Sequence, residues 1–184
     1  YLYYSSADYQ SGLVNIGTAL FTGNKGKENI LVQEMSSPTT KVGEPKLLLE
    51  PTLAWEKGFF LDITEGAWMY KHADTYYLMY SGGETMFGEY AMGYATSNSP
   101  LGPFVKYPGN PILRSTSAED GKPGIYSPGH HSIVRDDEGT DWVIYHQKKS
   151  YWDVSLSRRY ICRDRLLVDD QGRLSIQATG MRED

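Results

Sequence analysis

Two tyrosine-ended strand signals stand 65 residues apart, each led by a hairpin, and this repeat limits the folds open to the chain. Tyr76-Tyr77-Leu78-Met79-Tyr80-Ser81 follows Ala67-Trp68-Met69-Tyr70-Lys71 across the turn residues His72-Ala73-Asp74. Asp141-Trp142-Val143-Ile144-Tyr145-His146 follows Ser132-Ile133-Val134-Arg135 across Asp136-Asp137-Glu138-Gly139. Aromatic and β-branched runs bounded by polar turns read as paired strands. Tyr1-Leu2-Tyr3-Tyr4-Ser5 is a third such run. A second register repeats at an offset of 62, where Ser36-Ser37-Pro38 and Asn98-Ser99-Pro100 each precede another extended stretch. Four strands in roughly 60–75 residues make a propeller blade, since radial repetition hides sheet edges. Short strands at regular spacing also suit a sandwich or barrel.

Counting blades gives an incomplete ring. The chain enters on the strand at Tyr1–Ser5 with no partner before it, then runs through hairpin-led units from about Phe59 and about Gly129. A last pair, Arg159–Val168 and Gly172–Gln177, follows. That is roughly three blades. Residues 1–184 are therefore expected to form the carboxy-terminal part of one propeller domain whose amino-terminal blades lie outside this chain. No low-complexity linker divides it, and no stretch keeps a helical period beyond two turns.

Composition excludes several function classes. With 23 acidic and 18 basic side chains the net charge is −5, which argues against a nucleic-acid partner. No apolar run approaches the roughly 20 residues of a spanning helix, so no membrane partner is expected. Cys162 is the one cysteine, which rules out an internal disulfide and a thiolate metal cluster; in its strand it reads as an inert core thiol. The 15 Tyr, 5 Phe and 4 Trp offer rings for packing or for sugars. No targeting segment is readable; an extracellular or periplasmic location is favoured.

The same count points to chemistry. Glu65 lies fifteen residues before Tyr80, and His130 fifteen before Tyr145. Both are expected at or just before the first strand of successive blades, the strand that lines the channel, so the two side chains should converge. Glu65 sits in Phe59-Phe60-Leu61-Asp62-Ile63-Thr64-Glu65-Gly66-Ala67-Trp68, surroundings whose low polarity favours a protonated carboxyl, as a general acid needs. A strand-end glutamate paired with a basic residue is the plainer alternative. His131 and His146 could line the channel, although His131 is expected to point the other way from His130. Asp136-Asp137-Glu138 reads as a solvated turn. Trp152, in a polar loop beside Lys148-Lys149, is the aromatic best placed to stack on a sugar.

Ile63–Trp68 with Tyr76–Ser81 and Tyr90–Phe104 resembles the general-acid blade of glycoside hydrolase family 43. Ser127-Pro128-Gly129-His130-His131-Ser132 is similar to that family's Gly-x-Gly-His-x-Ser motif, and Arg158–Leu166 has the look of its last blade. The resemblance covers essentially the whole chain with its motifs in order. It implies an all-β, five-bladed β-propeller with a central funnel and inverting cleavage of α-L-arabinofuranosidic or β-D-xylosidic bonds in plant polysaccharides or oligosaccharides. By the same resemblance Glu65 matches the general acid. His130 matches the histidine that helps hold a central calcium, mostly through water, and Arg159 matches a sugar-contacting arginine. The motif's usual proline is replaced by Ala67. No aspartate here matches the family's base or its third, tuning carboxylate, so both are expected upstream of Tyr1. A non-catalytic sugar-binding propeller is the alternative. A phosphate-dependent transferase would need more basic residues over the funnel.

Overall fold

The computed structural model describes residues 1–8, 25–86, 88–119, 123–153, 155 and 158–180. Among the described residues eleven strands follow in order: β1 (Leu2–Asp8), β2 (Gly26–Ser37), β3 (Thr40–Leu49), β4 (Leu61–His72), β5 (Thr75–Gly82), β6 (Ala91–Ser97), β7 (Val105–Lys106), β8 (Gly129–Arg135), β9 (Asp141–Gln147), β10 (Tyr160–Val168) and β11 (Leu174–Gln177). A single 3-10 turn at Ala54–Glu56 is the helical element among the described residues, and none there is long and apolar enough to cross a membrane.

Two antiparallel meanders carry the repeat. The first runs β4-β5-β6-β7 and the second β8-β9-β10-β11. Side-chain alternation explains both. On β9, Val143, Tyr145 and Gln147 are buried and the residues between them are half-exposed, the period of two that a pleated strand imposes. On β5 the two faces serve different cores. Leu78 and Tyr80 pack with Ile30, Leu49 and Ala95, while Tyr77 and Met79 pack with Met92, Tyr94, Val143, Tyr145, Leu166 and Leu174. A sheet clasped on both sides reads as a nearly unbroken apolar run, and Tyr76–Tyr80 is such a run.

Three expectations need correction. Strand β4 starts at Leu61, six residues before the Ala67 expected from the sequence, so Glu65 lies inside the strand. After the Ser-Pro turns the two units diverge: β3 is a ten-residue arm with eight exposed positions, whereas β7 has two residues. The opening unit is not a separate sheet either. Residues Gly26, Lys27 and Glu28 of β2 pair in parallel with Leu61, Asp62 and Ile63 of β4, and the Thr64 hydroxyl donates to the Glu28 carbonyl at 3.0 Å. Strands β1 to β7 therefore form one seven-stranded sheet beside the four-stranded one.

Candidate active site

Strand β4 is aimed by a carboxylate beneath its entry. Glu84, 7% exposed, accepts the backbone N–H groups of Phe59 (3.0 Å), Phe60 (2.7 Å) and Leu61 (2.7 Å). Lys57 pairs with Asp62 at 3.0 Å. Asp62 thus serves the loop, and Glu65 is left for the open end.

The pairing registers show how Glu65 and His130 meet. Glu65 lies opposite Ser81 on β5, and Gly129 lies opposite His146 on β9. Aligning Tyr80 with Tyr145 makes Ser81 equivalent to His146, hence Glu65 equivalent to Gly129 and His130 equivalent to Gly66. The expected identity of slots is off by one. The cause is the second hairpin, where Asp136 and Thr140 close a turn one residue longer than Ala73-Asp74. Both meanders carry a register shift just past this point, and the equivalent residues share a left-handed backbone, φ 61° at Gly66 and 51° at His130. A left-handed histidine costs about 1 kcal/mol, which surrounding contacts must offset; the His130 N–H donates to the buried Ser81 hydroxyl at 2.8 Å.

Convergence itself is present. A Cβ on Gly66 would lie 3.5 Å from His130 Cα, and His130 Nδ1 lies 3.9 Å from Glu65 Oε2. Between them stands Tyr90, just before β6. Its hydroxyl donates to Glu65 Oε1 at 2.6 Å and lies 3.3 Å from His130 Nδ1. Tyr90 is 1% exposed. Burial first, then the Glu65 charge, holds its phenol well above the usual value, so it stays a donor. The His146 ring stacks on Tyr90, centroids 5.7 Å apart and planes 2° from parallel. Burial, helped by the Arg159 charge, pushes His146 down to about 4, so it is neutral in neutral solution.

A second carboxyl approaches from β2. Glu28 shares its face with Ile30, beside Ile63 and diagonal to Glu65. Burial first, then the Glu65 charge, pushes its carboxyl up, against a Ser5 hydrogen bond and the His130 charge. Arg159, half-buried at the entry to β10, also bears on Lys148, whose ammonium is displaced downward chiefly by burial. Trp152 is 85% exposed and meets Tyr151 edge-on at 5.7 Å. Tyr151, together with Trp55, Glu89, Arg114 and Ser115, lines a pocket of about 390 Å³. The structure therefore gathers Glu65 and His130, places Arg159 at the entry to β10, and leaves Trp152 exposed.

Tyr90, His146 and Glu28 complete a cluster that spacing alone had centred on two residues. His131 turns away from His130 and is buried. Among the described residues no group of three His, Cys, Asp or Glu side chains could hold a metal ion. Calcium takes six to eight oxygens, so these side chains do not form a calcium cage.

A model of the glycosyl hydrolases family 43 matches residues 1–170. The β-D-galactofuranosidase xynD of Aspergillus niger is 33% identical over 123 residues, 64% of this chain and 34% of the relative. A xylan 1,3-β-xylosidase of a Vibrio species is 32% identical over 129 residues, 67% of this chain and 22% of the relative. Among solved structures, a thermostable family-43 glycoside hydrolase superposes with a TM-score of 0.74 at 34% identity, covering 86% of this chain and 50% of that one. An α-L-arabinofuranosidase from Lactobacillus brevis gives 0.68 at 25% identity, covering 88% and 50%. The architecture is thus part of the family's five-bladed β-propeller, and the chain spans about a third or less of these curated relatives and half of these structures.

Proposed function

The chain belongs to glycosyl hydrolase family 43, and from that premise we propose that it supplies the acid half of an inverting glycosidase. The bonds cleaved would be α-L-arabinofuranosidic or β-D-xylosidic, in plant cell-wall polysaccharides or their oligosaccharides. The relatives named for xylan and arabinofuranose support that substrate class, and the one named a galactofuranosidase supports a five-membered sugar ring among its members. The observation that carries the reading is the meeting of Glu65, Tyr90 and His130 at one open strand end.

In the reaction, the proton of the Glu65 carboxyl passes to the glycosidic oxygen as the C1–O bond breaks. A base takes a proton from water, whose oxygen bonds C1 from the opposite face. Inversion needs the two carboxyl groups about 6.5–9.5 Å apart across the scissile bond. Glu28 is ill suited to be that base. It stands on the strand next to Glu65, on the same side, and its surroundings favour the protonated form. The base and the tuning carboxylate would come from amino-terminal blades outside these 184 residues. Arg159 and Trp152 would contact sugar. A central calcium would be held through water, with His130 as its one contact from the described residues, and no step depends on it.

The experiment is Glu65→Gln in the complete protein. Loss of general-acid catalysis should slow substrates with poor leaving groups about 10²–10⁴-fold and spare activated aryl glycosides, which leave without protonation. Equal losses on both would show that Glu65 binds rather than donates.

A further inference from the structure

A protonated carboxyl is useful as an acid only if the oxygen bearing the proton faces the leaving group, and the two oxygens of Glu65 are not equivalent here. Oε1 receives the Tyr90 hydroxyl at 2.6 Å. Oε2 accepts no hydrogen bond among the described residues and has His130 Nδ1 3.9 Å away. Resting on the assignment of Glu65 as acid, we infer that Tyr90 is a positioning residue: its hydroxyl clamps Oε1 and so presents Oε2 to the glycosidic oxygen.

The ring is built to hold that aim. Tyr90 is buried to 1% and lies flat against His146. The Gly129 backbone lies against its Cδ1–Cε1 edge, where a Cβ would come within 2.2 Å. A ring held on these sides keeps its hydroxyl at the Glu65–His130 pair. Because the Tyr90 proton is given to Glu65, the role left to His130 Nδ1 at 3.3 Å is donor. Nδ1 of the imidazole therefore carries a proton. One phenol thus orients both functional side chains. A ring kept only for packing would do the same work as phenylalanine.

The test is Tyr90→Phe in the complete protein, assayed beside Glu65→Gln on a series of glycosides of graded leaving-group ability. The expected result is a loss of about ten- to a hundredfold in kcat on poor leaving groups, as misplacing a reacting group costs. KM should stay within about threefold, and activated aryl glycosides should be nearly unaffected. If Glu65→Gln shows leaving-group selectivity and Tyr90→Phe shows none, Tyr90 is packing alone and the inference is overturned with the acid assignment intact. If Glu65→Gln itself shows no selectivity, the acid assignment falls and this inference with it. Should Tyr90→Phe lose its far-UV spectrum, 4-fluorophenylalanine at position 90 fills the hydroxyl's volume without donating, and the same selectivity is expected.

Discussion

Gly129 shows how a residue with no side chain can matter to catalysis. Its backbone needs no left-handed angle, so the requirement is space: a methyl group there would meet the Tyr90 ring at 2.2 Å and the Ser81 hydroxyl at 3.1 Å. The ring is walled in, so Gly129→Ala should cost about 1–3 kcal/mol, the usual penalty of overpacking. A lower denaturant midpoint with an unchanged slope would register it, and activity on poor leaving groups should fall as it does for Tyr90→Phe. A variant of undiminished stability would mean that the ring has room to move. Spacing alone found Glu65 and His130 because a repeat makes equal counts meaningful, yet the count carried them one position past true equivalence. Only the register, with the extra residue in the Asp136–Thr140 turn, shows that His130 takes the place of Gly66. Tyr90 and Glu28 were hidden for another reason. A tyrosine before a strand and a glutamate opening one are ordinary in sequence, and their meaning comes from neighbours 25 and 37 positions away, both of them Glu65.

Among the elements, the hairpins were the legible part and the connections were not. Aromatic and aliphatic runs at Tyr76–Ser81 and Asp141–His146 define β5 and β9 within one residue at each end, since burial on both faces leaves an unbroken apolar run in β5 and burial on one face leaves a period of two in β9. The loop from Leu53 to Phe60 has no such period; Glu56 holds its start by accepting the Thr52 and Leu53 N–H groups, and its far end is held by a carboxylate that follows β5. Glu84 takes three consecutive backbone N–H groups there. Glu84→Ala would strand those donors and should cost about 3 kcal/mol, the scale of unpaired buried polar groups. The loss should be local at first. Amide exchange at Phe59, Phe60 and Leu61 should quicken before exchange in β5 or β6, and kcat should fall as the Glu65 strand loosens. Uniform quickening across both meanders would show that Glu84 holds the whole sheet rather than this one entry. The parallel join between β2 and β4 was also illegible, because three pairs formed beside a hairpin leave no periodic mark.

For the molecule as a whole, the two meanders are fastened by polar pins as well as by their shared core. Tyr77 donates to the Gly172 carbonyl at 2.8 Å, and the Leu174 N–H donates to the Tyr94 hydroxyl at 3.2 Å. The third pin is charged. Tyr70 of β4 donates to Asp141 of β9 at 2.7 Å, and Arg135 holds the same carboxylate through two bonds of 2.8 and 2.7 Å. The Arg135 hydrogen bond is the chief reason that the Asp141 carboxyl lies below its usual range, with the Tyr70 bond acting in the same direction against partial burial. A carboxyl with a depressed folded value is protonated first in the unfolded chain, so it favours the folded state above about pH 4 and loses that contribution as the pH falls through the folded value. Asp141→Asn should therefore be less stable than the parent at neutral pH by about 1–2 kcal/mol, and the gap should narrow on acidification below about pH 4. Denaturant titrations of both proteins across pH 7 to 3 measure that gap directly. A gap that stays constant would mean that Asp141 acts through shape alone. One that widens would reverse the sign of the coupling and place the seam's acid sensitivity elsewhere.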